Sequence, residues 1–447
     1  MKSTGLLIAA ALLAVLTGVL YWSNHHTAED TAKPATPAAS KLVTVKDADV
    51  SKIEIDKKGA EQVALEKGSD GKWEITAPQK LSADQEAVTG VISVVSGLNS
   101  ERVVEDHAID LKQYGLADPS VKLNLSTKDG KTQKLLLGDD TPTGNGVYAA
   151  VGGDPRVFTI ASYAKSNLDK NASELRDKRL LTTNFDKVSQ IDLIAKKQTV
   201  EFGRSKEAWQ ILKPRPLRAD NFSVEDLVRR LKDAKMDLSA SADADAKKIT
   251  AAFSSATPIA TVKVTDATGT QTLEVRKNKT DYYAKSTAVD GVYKVANDLG
   301  MGLDKALDDF RNKKLFDFGF DDVSAVDMHD GSKAYSLVKG GPDWWSNGKK
   351  MDGASVQAFI DKFRDLAATK FVDSGFTTAT IQMKVTSNDG KRVENVSIAK
   401  SGDNYIAKRE GEPSLYQLDP KAIEELQKSA ADVKPAAEPP SPPATKK

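Results

Sequence analysis

The chain has 447 residues, of which 64 are Lys or Arg and 63 are Asp or Glu, so its formal net charge is +1. This length suits two to four domains, and the 40% hydrophobic and 28% charged residues are typical of a folded protein rather than a disordered one. The balanced charge excludes the basic footprint of a nucleic-acid-binding protein, and the absence of cysteine from the sequence excludes disulfides, cysteine zinc sites and thiol catalysis.

The amino terminus has the pattern of a membrane anchor. Residues 5–22 are uncharged and mostly apolar, and as a helix they would span about 27 Å, close to the thickness of a bilayer core. Tyr21 and Trp22 end this stretch with aromatic side chains that favour the membrane–water interface. We therefore expect residues 1–26 to form an uncleaved transmembrane helix. A cleaved signal peptide is the alternative, although no small-x-small site closely follows the apolar core.

The charges around this segment indicate its orientation. Lys2 and the free amino group are the only positive charges on its amino side, which favours placing that end in the cytoplasm. We expect a single-pass protein of the inner (cytoplasmic) membrane, with the bulk of the chain in the periplasm or outside the cell. Residues 27–41 are predicted to be a flexible Ala/Thr/Pro linker. Residues 431–447 are predicted to be a disordered Pro-rich tail, because the stretch from 434 onward has no large aliphatic side chain to pack.

Three copies of one sequence pattern follow the linker. A Trp-x-Ile-x-x-Pro motif begins at Trp73 and recurs at Trp209, 136 residues later, and a further step of that length reaches Trp345, beside Trp344. An aspartate with a valine four residues later follows each tryptophan. The three aspartates are Asp84, Asp220 and Asp352. Because aspartate is a good N-cap and apolar residues recur behind it at helical spacing, each copy predicts an amphipathic helix.

The rest of each copy predicts a mainly antiparallel β-sheet. Short alternating strands joined by Gly-containing turns lie before and after the long helix. A short closing helix is predicted near 162–169, 303–310 and 420–430. We therefore predict an α+β fold of three tandem repeat units, over 42–181, 182–315 and 316–430. The third unit is shorter because it lacks a segment that matches 237–256.

A resemblance to a known family rests mainly on the first copy. The residues that carry it are Lys72-Trp73-x-Ile75-x-x-Pro78, Ala83-Asp84, Tyr114-Gly115-Leu116 with Pro119, Gly138, Tyr148-Ala149 and Leu175-Arg176-Asp177-Lys178. Together with the anchor, they resemble the bacterial domain-of-unknown-function 4340 family. The resemblance implies an envelope protein on a single membrane anchor, with ABC transporter components of the gliding-motility type as candidate partners. That family has no assigned activity, so the resemblance implies no catalytic residues.

The sequence predicts no catalytic, cofactor-binding or metal-binding residues. His25 and His26 follow the predicted anchor, and His107 and His329 are predicted to lie in solvated loops. Candidate phosphate loops and calcium loops lack required residues, and no nucleophile elbow occurs in the sequence. We therefore predict a protein that is not an enzyme and needs no cofactor.

Trp344 and Trp345 are the candidate contact residues. Adjacent residues of a strand point to opposite faces, so only one of the two can take the core position predicted for Trp73 and Trp209. The other would be an exposed indole available to a partner. The predicted function is a membrane-anchored scaffold or accessory subunit that binds protein partners. An envelope glycan- or peptide-binding module is the alternative, and an unrecognised hydrolase is the third hypothesis.

Overall fold

The computed structural model describes residues 40–205, 208–238, 242–320 and 322–437. Among these residues, no helix has both the length and the apolar character needed to cross a membrane. The predicted anchor, residues 1–26, lies outside the described residues, as does most of the linker. The chain divides into two compact units, the first ending at Lys178 and the second beginning at Arg179.

The first unit contains one antiparallel sheet. Its strands are β1 (Val50–Lys57), β2 (Val63–Lys67), β3 (Trp73–Ala77), β4 (Leu81–Ser82), β5 (Arg102–Glu105), β6 (Val121–Thr127), β7 (Thr132–Asp140), β8 (Gly146–Val151) and β9 (Val157–Ala161). Their spatial order is β4-β3-β2-β1-β6-β7-β8-β9-β5. Among residues 40–178, the α-helices are α1 (Gln85–Ser96), α2 (Ser162–Leu168) and α3 (Ala172–Leu175).

The second unit contains two further antiparallel sheets. The strands of the second sheet are β10 (Gln190–Ala195), β11 (Gln198–Ser205), β12 (Ala208–Lys213), β13 (Leu217–Arg218), β14 (Thr257–Asp266), β15 (Gly269–Asn278), β16 (Asp281–Ser286) and β17 (Val292–Val295). The strands of the third sheet are β18 (Val323–Asp330), β19 (Lys333–Gly340), β20 (Asp343–Ser346), β21 (Lys349–Lys350), β22 (Lys370–Val372), β23 (Ile381–Ser387), β24 (Arg392–Ser401), β25 (Asn404–Arg409) and β26 (Leu415–Leu418). The helices are α4 (Asn221–Lys232), α5 (Ala242–Ser254), α6 (Asn297–Leu303), α7 (Gly353–Asp365) and α8 (Pro420–Ala431).

All three sheets share one strand order. The first four strands form a meander that starts at a central strand and runs to one edge. The long helix follows, and a second meander begins beside the central strand and runs to the opposite edge. The central pairs are β1 with β6, β10 with β14, and β18 with β23. The first and third sheets gain a ninth strand, whereas a single bridge between Asp237 and Lys294 replaces it in the second. The prediction of repeated antiparallel α+β units is confirmed at this level.

The long helices bury one stripe each against their sheets. The buried residues are Val88, Val91, Ile92 and Val95 in α1, Val224, Leu227, Val228 and Leu231 in α4, and Val356, Phe359, Ile360 and Phe363 in α7. In every case they lie 3, 4 and 7 residues after the first, which is the spacing of one helix face. Each such side chain contributes about 1.5–3 kcal/mol when it leaves water, so these stripes fix the helices on one face of each sheet.

The helices differ from the prediction of one long and one short helix per unit. The described part of the chain contains eight α-helices instead of six, and the closing helix α8 has 12 residues, as many as α1. In the second sheet, α6 ends at Leu303, where the predicted closing helix 303–310 was to begin. Gly300 explains why the sequence does not predict α6. Glycine is a poor helix former, but a Cβ at this position would collide with the ring of Tyr282.

In each copy, a segment near the carboxy-terminal end forms a backbone hydrogen bond with the aspartate that precedes the long helix. Backbone bonds run from the amide of Asp84 to the oxygen of Leu175 (2.8 Å), from Asp220 to Phe310 (2.8 Å) and from Asp352 to Lys434 (2.9 Å). In the third sheet the contact continues, because Pro435 forms a bridge with Met351. The first residues of the predicted tail, 431–447, therefore belong to the fold.

A buried ion network joins the second and third sheets within the second unit. Arg218 on β13 contacts Asp317 at 2.6 Å, Glu412 at 2.7 Å and the hydroxyl of Tyr416 at 3.1 Å. Arg409 on β25 pairs with the same two carboxylates, at 3.2 and 2.8 Å. Burial opposes the charge of Arg218, but Asp317, Tyr416 and Glu412 together raise its pKa above the usual value. The carboxylates of the network therefore favour the charged form of Arg218 at the junction.

Candidate functional site

The repeated tryptophans lie in the cores of their sheets. Trp73, Trp209 and Trp344 are all buried. The backbone amide of Trp73 donates to Oε1 of Gln85 at 2.8 Å, and that of Trp209 donates to Oδ1 of Asn221 at 2.7 Å. Gln85 and Asn221 are the first residues of α1 and α4, so each helix start is fastened to the strand that carries the tryptophan. The contacts of these tryptophans are those of core residues.

The repeated aspartates cap the long helices. In each copy the aspartate carboxylate accepts hydrogen bonds from backbone amides of the first helical turn. Asp84 accepts from Glu86 and Ala87 (3.0 and 3.1 Å), Asp220 from Ser223 (2.7 Å) and Asp352 from Ser355 (2.9 Å). Each bond satisfies an amide that has no acceptor within the helix. The aspartates therefore stabilise the helix starts.

Trp345 differs from the other repeated tryptophans because it lies on the face of the sheet away from α7. Trp344 occupies the core position, one residue short of the 136-residue step, while the Trp345 side chain is 41% exposed. In the register of β19 and β20, Trp345 lies opposite Val338. Its indole also packs on Gly340, where an added Cβ would approach the ring to 3.0 Å. This contact fixes the orientation of the exposed ring.

Trp345 belongs to a row of side chains that crosses five strands on this outer face. The row, which we call the Trp345 row, consists of Trp345, Val338, Ala325, Thr386 and Val393. Val338 and Val393 are 53% and 50% exposed. With neighbouring strands about 4.8 Å apart, the row spans about 19 Å. Large apolar side chains gathered on one exposed surface are typical of an interaction site.

Two polar rows run beside the Trp345 row. The charged row consists of Asp327, Lys384, Asn395 and Glu410. Its carboxylates have partners, since Ser336 donates to Asp327 at 2.6 Å and Asn395 donates to Glu410 at 2.5 Å. The polar row consists of His329, Gln382, Ser397 and Lys408. Both rows line a cleft of about 660 Å³ on the outer face of the third sheet.

The segment between β22 and β23 forms one wall of this cleft. Phe376 lines the cleft and is half-buried. The adjacent Gly375 has a φ of +107°, and a Cβ there would lie 3.4 Å from Ile406, so the segment passes close over the sheet. Ile406 and Ala399 are buried on this outer face. The wall is therefore anchored on apolar side chains, while the floor beside it is polar.

The first sheet uses the corresponding positions differently. When the central strand pairs are aligned, the polar row corresponds to Asp56, Lys122, Leu136 and Ala150. Lys122 pairs with Asp56 at 3.5 Å, and Leu136 and Ala150 belong to a small cluster with Leu116 from the segment that follows β5. The first sheet thus pairs and covers the positions that the third sheet leaves polar and open.

The sequence prediction that His329 lies in a solvated loop is wrong. His329 lies in β18 and points to the outer face. Val326 and Met328 are both buried, and continuing this alternation by one residue would have placed His329 on the opposite face. His107 lies in the segment after β5, and His25 and His26 lie outside the described residues. Across the described ranges, no three His, Asp or Glu side chains are grouped closely enough to hold a metal ion.

These features define a class of protein built from repeated antiparallel α+β sheets, with an open face on the third. A family model described as a domain of unknown function (DUF4340) matches residues 73–210 and again residues 209–385. The chain therefore belongs to that family, which confirms the resemblance seen in the sequence. The two matches begin at Trp73 and Trp209, the same structural position in the first and second sheets. No curated protein and no solved structure matches the chain.

Proposed function

We propose that this protein is a non-catalytic, membrane-anchored envelope protein that serves as a scaffold or accessory subunit by binding a protein partner. The observation that carries the proposal is the exposure of Trp345, Val338 and Val393 along one row of the outer face of the third sheet. Tryptophan is the residue type most enriched in binding hot spots, because it buries a large area with few rotatable bonds. A partner that covers this row would remove three large apolar side chains from water.

The surroundings of the row suit a protein interface. Lys350, opposite Trp345 in the register of β20 and β21, forms an ion pair with Asp343 at 2.9 Å. This pair gives the apolar row a charged rim, the arrangement found around interface cores. The row lies on hydrogen-bonded strands and not on a loop, so little conformational freedom is lost when a partner docks.

The proposed location and the identity of the partner rest on the sequence. We propose that residues 1–26 anchor the chain in the cytoplasmic membrane and that the sheets lie in the periplasm or outside the cell. The family resemblance favours components of an ABC transport system as the partner. An apolar row held outside the cytoplasm on a membrane anchor would meet such a partner at the membrane surface.

A binding measurement with purified components tests the proposal. The full chain, held in detergent or nanodiscs, is presented to the membrane subunits of the ABC transporter encoded nearest to its gene. We expect saturable binding that Trp345→Ser weakens at least about tenfold, which is the effect of losing a hot-spot tryptophan. Phe222→Ser is the matched control, because Phe222 is 84% exposed but lies on α4. No binding, or equal losses for both variants, would contradict the proposal.

A further inference from the structure

We infer that the cleft beside the Trp345 row binds a neutral oligosaccharide, a function distinct from protein docking on that row. The floor of the cleft is formed by the polar row, in which His329, Gln382, Ser397 and Lys408 lie in register on four neighbouring strands. At about 4.8 Å between strands, these side chains extend over about 14 Å. This length would accommodate a few linked sugar rings laid across the strands.

The hydrogen-bonding groups of the polar row are free to bind a ligand. Within the part of the chain that the structure describes, these four side chains form no hydrogen bond or ion pair with another residue. Gln382 and Ser397 can each donate and accept, His329 offers two ring nitrogens, and Lys408 donates. Sugar hydroxyls also donate and accept, so a mixed row of this kind suits a polyhydroxylated ligand better than a ligand of one polarity.

The charges in the cleft favour a neutral ligand. Lys384 and Lys408 are balanced by Asp327 and Glu410. Arg409 also borders the cleft, but its guanidinium is engaged by the carboxylates of the ion network. A phosphate or a polyanion would need an excess of positive charge, and the cleft does not supply one. An uncharged glycan meets no such requirement.

The position of the cleft disfavours a peptide. An extended peptide commonly binds by adding a strand to a sheet edge, with pockets for its side chains. The cleft lies over β18, β23, β24 and β25, each of which already has a neighbouring strand on both sides. Phe376 supplies one aromatic wall, which can stack on the apolar face of a sugar ring but does not form a series of pockets.

Isothermal titration calorimetry of the full chain tests this inference. The probes are tetra-N-acetylchitotetraose and maltotetraose, with tetra-alanine as the peptide probe. We expect at least one oligosaccharide to bind with one-to-one stoichiometry, and Lys408→Ala to weaken that binding about tenfold by removing a charged donor. Lys285→Ala is the matched control, because Lys285 is an exposed lysine at the corresponding position of the second sheet. It should leave the affinity unchanged.

The possible outcomes separate this inference from the proposed function. No heat of binding from either oligosaccharide at millimolar concentration would overturn it, as would equal losses for Lys408→Ala and Lys285→Ala. Binding of tetra-alanine in place of the sugars would assign the cleft to peptides instead. The titration contains no partner protein, so its result is independent of whether the Trp345 row docks one.

Discussion

Replacing Arg218 with methionine removes one charge from the ion network while it keeps much of the aliphatic stem. The Arg218 side chain is 18% exposed and contacts Asp317 at 2.6 Å and Glu412 at 2.7 Å. It also donates to the backbone oxygen of Lys314 at 2.5 Å. In the Arg218→Met variant these three acceptors lose one donor each, and Arg409 becomes the nearest remaining cation for both carboxylates.

The expected loss follows from burial and from the remaining partner. Removing one member of a buried ion pair costs about 3–5 kcal/mol, because the other charge loses its compensation. Here Arg409 stays within 3.2 Å of Asp317 and 2.8 Å of Glu412, so part of that compensation persists. We therefore expect a loss at the lower end, about 3 kcal/mol of unfolding free energy. With a urea m-value of about 3 kcal/mol/M, the midpoint should fall by about 1 M.

Urea denaturation of the full chain measures this change, and hydrogen exchange assigns the transition to the second unit. Arg229→Met is the matched control, since the Arg229 side chain is 62% exposed and pairs with Asp226 on the same helix. An exposed pair of this kind is worth about 0.5 kcal/mol. If Arg218→Met and Arg229→Met unfold at the same urea concentration, the ion network does not stabilise the junction and the reasoning is refuted.

Three further predictions concern single residues. Trp344→Ala should lower the unfolding free energy by about 3–5 kcal/mol, and Trp345→Ala should lower it by less than about 1 kcal/mol, because only Trp344 is in the core. Similar losses for the two variants in urea denaturation would contradict this assignment. Asp220→Ala should lower the unfolding free energy by about 1 kcal/mol, since an amide of α4 loses its acceptor. Thermal denaturation measures this loss, and an unchanged melting temperature would argue against capping. Hydrogen bonds from Thr268 lower the pKa of the Asp266 carboxyl, and the largest effect comes from the Thr268 hydroxyl. The ionised Asp266 carboxylate therefore stabilises the fold above about pH 3.9, and this stabilisation is lost as the pH falls through the lower pKa of the folded state. The difference in unfolding free energy between wild type and Asp266→Asn should shrink on acidification, and a difference that widens would contradict this prediction.

The features predicted correctly from the sequence are those with local signals. The long helices follow aspartates whose carboxylates cap them, and their apolar residues recur at the spacing of one helix face. The antiparallel hairpins follow from alternating strands separated by turns, such as the turn in which Gly130 has a φ of +81°. Each of these signals lies within about a dozen residues, so it can be read without knowledge of the tertiary fold.

The features that escaped prediction depend on contacts between distant residues. The sequence shows that the third copy lacks a segment matching 237–256, but it does not predict the helix α5 within that segment. The contact that holds α5 on the sheet is between distant residues, since its Phe253 packs under the guanidinium of Arg276 on β15. The helix α6 contains Gly300, where any side chain would collide with the ring of Tyr282. The Trp345 row and the polar row each combine residues from several strands, and their register becomes known only when the sheet is formed.

Site-specific photo-crosslinking in the native cells tests most directly whether the open face of the third sheet contacts a partner. A photoreactive amino acid replaces Trp345 in the full chain, and another chain carries it at Lys285, an exposed position of the second sheet. Our account predicts an adduct from position 345 that mass spectrometry identifies as an ABC transporter subunit, and none from position 285. No adduct at 345, or the same adduct from both positions, would contradict it.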